Sequence, residues 1–168
     1  MTLYLVDANV VITAHNQYYP IDSVPQFWDW IVDQAKSGAL KMPLEIYEEI
    51  KLGGKDSQKD MLYNWVVHAD VKKHLILDEE VDQSHIANCI NEGYAPDLSD
   101  QDLLVIGRDP FLIAYGMADP ENRCVVTNEV SAPKKTRQNR KIPDVCHTMG
   151  VPCCNVFSMT RTLGFKTR

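Results

Sequence analysis

The sequence has no apolar run approaching the roughly 20 residues that a bilayer-spanning helix needs. Its opening, Met1-Thr2-Leu3-Tyr4-Leu5-Val6-Asp7, has neither the basic start nor the small-residue cleavage site of a secretory signal. No membrane partner is expected, and a cytoplasmic location is. Cysteine is sparse and irregular: five residues, an odd number without repeated spacing, do not make a disulfide framework. Cys146, Cys153 and Cys154, with His147 nearby, match no zinc-finger spacing, so buried free thiols are expected. No Gly-x-x-x-x-Gly-Lys-Ser/Thr stretch occurs, which disfavours a P-loop enzyme. The histidines show no nucleophile–base pattern. Positive charge is also in deficit, with 17 Lys and Arg against 23 Asp and Glu, a formal net charge of −6. That balance argues against a protein that clamps nucleic acid over its whole surface. It leaves room for a local basic patch, because a dense carboxylate cluster is itself acidic until a cation neutralises it. Repeats, low-complexity tracts and flexible linkers are missing too, so residues 1–168 read as a single domain.

What remains is an alternation of short apolar runs and helical periodicities. Leu3 to Val6 reads as a buried parallel strand ending at Asp7. Ser23 and Gln26 resemble a capping box ahead of a helix carrying Phe27, Trp30, Ile31 and Ala35, which Gly38 stops. Leu40 to Met42 is a brief extended piece. Pro43 suits the first position of a second helix, ended by Gly53-Gly54. A third helix after Ser57 carries Met61, Leu62, Trp65 and Val66. Leu75 to Leu77 reads as a strand, and Val81, Ile86, Cys89 and Ile90 mark a fourth helix. Asp109-Pro110 looks like an N-cap and first turn leading into Leu112, Ile113 and Met117. Cys124 to Val126 is a further strand, Lys134 to Lys141 a polar loop, and Val151 to Phe157 a last strand. Strands alternating with helices predict an α/β fold, a three-layer α/β/α sandwich around a mostly parallel sheet.

Two of these strands run into acids. Asp7 directly follows the first, and Glu129 lies three residues beyond Val126. In parallel α/β sheets ligands collect beyond the carboxyl ends of the strands. Asp109 opens a helix, where the dipole favours negative charge, and Glu49 lies on a helix that follows another extended segment. Four acids from remote stretches can therefore meet above one sheet edge. Carboxylate and water oxygens are what a hard cation such as Mg²⁺ or Mn²⁺ prefers. Such an ion can activate a water and offset charge on a phosphodiester. Three of the acids also have an ordinary explanation. Asp7 can cap a strand-to-helix turn, Asp109 can cap a helix, and Glu49 can be a solvated surface residue with Glu45 and Glu48 as close rivals. Asn9 reads as a turn-stabilising group, and Thr127 as a hydroxyl able to orient a carboxylate. Asp144 belongs to no motif.

The pattern resembles the PIN-domain nucleases. Val6-Asp7-Ala8-Asn9 with the apolar residues after it is similar to their opening motif. Glu49-Ile50-Lys51-Leu52-Gly53 resembles their Glu-Leu-x-x-Gly stretch, and Asp109 through Ala114 their Asp-x-x-x-Ile-Ala. Thr127-Asn128-Glu129 is similar to the fourth motif, usually Thr-x-Asp, with Glu in place of Asp. Tyr18-Tyr19-Pro20, the Phe27–Trp30 stretch and the residues from Lys141 to Cys146 lean towards VapC-like toxins. The resemblance implies a PIN-like fold and metal-dependent cleavage of RNA by Asp7, Glu49, Asp109 and Glu129 around Mg²⁺ or Mn²⁺, with Asn9 and Thr127 in support. It further implies a toxin–antitoxin role with a cognate antitoxin protein, and a leaning towards a homodimer.

Lys134, Lys135, Arg137, Arg140 and Lys141 form the dense basic run. They are read either as a solvated loop or as a phosphate-tracking edge beside the acids. Tyr18 and Tyr19 can stack on unpaired bases or simply pack between helices. Two other functions stay open: a PIN-like module that binds RNA or protein without cutting, and a metal-dependent phosphatase of small phosphate esters.

Overall fold

The computed structural model describes residues 1–53 and 60–167. Gly54 and Ser57, read from the sequence as a helix stop and a helix start, lie outside them. Four parallel strands form one sheet in the order β2-β1-β3-β4: β1 (Leu3–Val6), β2 (Leu40–Lys41), β3 (Arg123–Val126) and β4 (Cys153–Cys154). Leu3 to Val6 pair in register with Arg123 to Val126, so the two central strands end together. The chain leaves β1 for β2 on one side and reaches β3 on the other. Right-handed crossovers travelling in opposite directions put their helices on opposite faces of a sheet. The result is the expected three-layer α/β/α arrangement, and the crevice between the ends of β1 and β3 is its topological switch point. Among the described residues no helix is long and apolar enough to cross a membrane.

In α1 (Ala8–Thr13) the buried Val10 and Val11 pack down while Asp7 caps its N-terminus; a π-helical turn, Ala14–Tyr18, extends it. Helix α2 (Pro25–Ser37) starts on Pro25 and stops at Gly38, whose φ of 84° puts it in the left-handed region where glycine costs least. Its buried stripe is Phe27, Trp28, Ile31 and Ala35, with Trp30 only partly covered. The capping box expected at Ser23 does not form. Ser23 Oγ donates to Asp22 Oδ1, and the cap position falls to Val24. Proline at the first helical position removes one of the amides that a cap would serve, which lessens the need for one.

Helix α3 (Leu44–Gly53) begins one residue after Pro43. Helices α4 (Met61–Val67) and α5 (Ala69–Leu75) follow, capped by Asp60 and His68. The strand expected at Leu75–Leu77 reduces to one parallel bridge, Met42 to Ile76, because Leu75 ends α5. Helix α6 (Gln83–Asn88) passes into a second π-helical turn, Cys89–Tyr94. A Cβ on Gly93 would lie 2.7 Å from Val145 Cγ1, so this turn can seat itself only on a glycine. Helix α7 (Asp100–Ile106) has a true capping box, Ser99 with Asp102. Helix α8 (Asp109–Met117) is almost wholly buried. Val151 to Phe157, expected as a strand, holds only the two residues of β4 before Asn155 caps α10 (Val156–Thr162). Helix α9 (Ile142–Met149) occupies the stretch between the basic run and β4.

Candidate functional site

Each of the four acids is set by a different local device. Asp7 directly follows the β1–β3 ladder, its amide donating to Val126 O at 2.9 Å. Its carboxylate is pinned at both oxygens: Oδ1 accepts from the Ala8 amide at 2.8 Å, Oδ2 from Thr127 Oγ1 at 2.9 Å. Thr127 Oγ1 in turn accepts from Asn9 Nδ2 and from the Glu129 amide. Asn9 also accepts from the Asn128 amide through Oδ1 and receives Asn128 Nδ2 on its carbonyl. One network thus sews the exit of β1 to the exit of β3 and fixes Asp7 relative to the Glu129 backbone. Asn9 and Thr127 are its knots.

Asp109 is the first residue of α8 rather than its cap, a place that Arg108 takes without a side-chain hydrogen bond. No donor among the described residues bonds the Asp109 carboxylate, which leaves both oxygens free of internal duties. Glu49 lies on the exposed face of α3. Its two rivals are engaged elsewhere: Glu45 receives Tyr115 Oη at 2.8 Å, and Glu48 pairs with Arg108 at 3.6 Å. Glu129 holds the N-terminus of α9, with Oε2 accepting the Ile142 amide at 2.8 Å.

Asp7 and Asp109 feel the charge of the other acids. Burial pushes Asp7 from its ordinary 3.8 up to about 6; Thr127 and Ala8 oppose the rise, and Glu49 and Glu129 add to it. Burial lifts Asp109 to about 8, reinforced by Asp7, Glu129 and Glu49 and eased by Lys141. Burial also raises Glu49, with Arg108 acting against it. Among the described residues none of the four acids has a basic group at ion-pair distance. An acid cluster without counterions, built from oxygen donors alone, suits a hard divalent cation by its chemistry. Its geometry is open. Among the described residues no three His, Cys, Asp or Glu side chains stand together as a ready cage for a metal ion. Holding one ion between them would require these side chains to draw closer together.

The basic run divides. Arg137, at a left-handed φ of 55°, pairs with Asp97 at 2.7 Å. Arg140 is spent on structure, donating to the carbonyls of Gly93 and Asp144 and to Thr148 Oγ1. Lys134 is exposed away from the acids' cavity, whereas Lys135 and Lys141 line it beside Asp109 and Glu129. Asp144, unassigned from the sequence, accepts from Ser131 Oγ and the Ala132 amide and so shapes the loop after Glu129. The two tyrosines separate as well. Tyr19 stacks on Phe27 in the core, while Tyr18, 47% exposed, meets Phe157 edge to face at 5.2 Å. That pair borders a groove of about 600 Å³ whose floor includes Thr127, Asn128 and Glu129.

Three residues with a part in the site were not singled out from the sequence. Arg108 ties α8 to α3 through the Glu45 carbonyl at 2.7 Å and Glu48. Tyr94 and Gln138 line the cavity beside Asp109. Only the chain's long-range folding brings them there, and no local motif announces them.

The fold is that of an α/β protein with a parallel sheet, and Asp7 stands at the exit of its first strand. The chain belongs to the family described as Domain of unknown function (DUF4411), whose model matches residues 4–167. No curated protein matches it.

Proposed function

We propose that this chain is a Mg²⁺- or Mn²⁺-dependent endoribonuclease of PIN-like type, acting in the cytoplasm as the toxin of a toxin–antitoxin pair. The observation that carries the reading is that Asp7 and Asp109 are both buried and both raised in proton affinity by the charges of Glu49 and Glu129, with no basic group at ion-pair distance among the described residues. A fold built for stability alone gains nothing from such repulsion. Perturbed acids in a cleft are the usual mark of a working site. A bound divalent cation would lower the pKa of a water and offset charge on the scissile phosphodiester.

The chain's own residues supply the rest. Thr127 and the Ala8 amide hold Asp7 in one orientation, so that it is the fixed point of the site. Asp109, whose oxygens accept no hydrogen bond among the described residues, is the second principal ligand. Glu49 and Glu129 Oε1 complete the acidic ring directly or through water and position the attacking water for in-line displacement at phosphorus. Lys135 and Lys141 stand where a backbone phosphate would pass, and the exposed Tyr18–Phe157 pair offers an unpaired base a stacking surface. A cognate antitoxin would block the site most simply by inserting a basic side chain among the acids.

Two observations favour the reading of a module that binds without cutting: Glu129 already serves α9, and among the described residues the carboxylates are not gathered into a cage. Two measurements separate the readings. Mn²⁺ should raise the melting temperature of the wild type and not of Asp7→Asn. RNA should be cleaved in Mn²⁺ by the wild type, with Asp7→Asn folded and inactive. Equal cleavage by both would remove the central assignment, and metal stabilisation without cleavage would favour the binding module. Turnover of small phosphate esters in place of RNA would point to a phosphatase.

A further inference from the structure

Asp109 and Glu129 form one wall of a cavity of about 140 Å³, and Tyr94, Gln138, Lys135 and Lys141 are among the residues completing it. A water occupies about 30 Å³ of liquid, so this space takes a sugar-sized group rather than one solvent molecule. Two of its lining residues each carry a buried polar atom with no hydrogen-bond partner among the described residues: Tyr94 Oη, on a residue 7% exposed, and Gln138 Oε1. Buried polar atoms without partners are rare in folded proteins. Two of them on residues lining one small cavity mark a place where something else is meant to bond.

Their chemistry restricts what that is. A phenol has a hydrogen to donate, so Tyr94 calls for an acceptor; an amide oxygen only accepts, so Gln138 calls for a donor. A hydroxyl answers both through one oxygen. A phosphate oxygen at neutral pH brings no hydrogen for Gln138, and a bare cation brings no acceptor for Tyr94. Lys135 and Lys141 at the rim supply the positive charge that a flanking phosphate wants.

We propose that this cavity receives the ribose 2′-hydroxyl of a nucleotide beside the scissile phosphate, and that Tyr94 and Gln138 make the chain discriminate RNA from DNA. The inference rests on the reading that the acid cluster faces nucleic acid. The 2′-hydroxyl is the group by which a protein tells the two polymers apart at a single position. Gly93 and Arg140 maintain the device. Glycine lets the π-helical turn sit against α9, and the Arg140 guanidinium holds the Gly93 carbonyl, so Tyr94 is presented from a fixed backbone.

The test is binding, read by fluorescence anisotropy, with Asp7→Asn carried in every protein so that no strand is cut. The probes are one single-stranded sequence made as RNA, as DNA and as 2′-O-methyl RNA. RNA should bind at least about tenfold tighter than DNA, and the 2′-O-methyl strand, which can accept but not donate, should behave like DNA. Tyr94→Phe and Gln138→Leu should each bring RNA within about twofold of DNA while leaving DNA binding unchanged. Equal binding of RNA and DNA, a preference unmoved by both substitutions, or no binding of any strand would overturn the inference. The nuclease reading fails separately: a chain that keeps the preference but never cuts in Mn²⁺ sinks that reading alone, and one that cuts RNA and DNA alike sinks this one.

Discussion

Replacing Asp109 by Asn removes a charge that the fold holds at a cost and leaves the side chain's shape almost unchanged. Asp109 stands at about 8 in the folded chain against an ordinary 3.8, so between those values the unfolded chain has released a proton that the folded chain retains. Stability of the wild type therefore falls as pH rises through that interval, and the full penalty is present above about pH 8. At about 1.4 kcal/mol per pH unit the ceiling is about 6 kcal/mol. Relaxation of the surrounding acids and entry of water reduce what reaches the folding equilibrium to about 2–4 kcal/mol. Asp109→Asn should thus be more stable than the wild type by about that amount near pH 8 in chelator, and nearly equal to it near pH 4. In a melt the gain corresponds to about 5–15 °C for a chain of this length. Urea titrations at the two pH values measure it, and added Mn²⁺ should reverse the order near pH 8 by stabilising only the wild type. A difference between the two proteins that is the same at both pH values would refute the argument that buried, mutually repelling charge is stored at this position.

Three further outcomes follow from the same geometry. Thr127→Val keeps the buried volume but strips partners from Asp7 Oδ2, Asn9 Nδ2 and the Glu129 amide; denaturation should show a loss of about 1–3 kcal/mol. Calorimetry of the same variant should show Mn²⁺ binding weaker by about 10–100-fold. Gly93→Ala places a methyl against Val145 and should cost about 1–3 kcal/mol in urea titration, with the near-ultraviolet signal of Tyr94 altered. Glu49→Gln should weaken Mn²⁺ binding, whereas Glu45→Gln, whose carboxylate belongs to Tyr115, should leave Mn²⁺ affinity within about twofold.

The parts of the fold legible in the sequence are those where a local pattern coincides with a tertiary need. The runs Leu3–Val6 and Cys124–Val126 are apolar because the central strands are covered on both faces; the first ends directly at Asp7 and the second three residues before Glu129. Gly38 marks its helix end because only the left-handed region turns the chain there. The illegible parts are decided at a distance. Val151 to Phe157 has the composition of a strand, yet only two residues find a neighbour on β3 before Asn155 turns the chain into α10. The run Lys134 to Lys141 reads as one patch. Asp97, 40 residues before Arg137, and Gly93, 47 before Arg140, withdraw two of its charges and leave Lys135 and Lys141 to face the acids. Among the acids, Glu45, Glu48 and Glu49 cannot be ranked from helical spacing alone. The ranking comes from Tyr115 and Arg108, which lie about 60 or more residues away and claim the first two.

The departure at the fourth resembled motif, Glu129 in place of the usual Asp, has a physical reason in α9. That helix opens with Ile142-Pro143, and proline leaves its first turn with fewer amides to satisfy and no side-chain cap of its own. The Ile142 amide is met by Glu129 Oε2 across a loop of twelve residues, and Thr127 fixes the Glu129 backbone at the end of β3. An aspartate on that backbone, shorter by one methylene, could not span the same gap and still present an oxygen to the crevice. The extra methylene lets one carboxylate both anchor α9 and add its charge to Asp7 and Asp109, which register it in their raised proton affinities. Charge at the site and attachment of the helix are thereby coupled through a single side chain. Loss of Glu129 must therefore be read on stability as well as on metal binding, and Glu129→Gln, which keeps an oxygen for Ile142 while discarding the charge, is the substitution that separates the two.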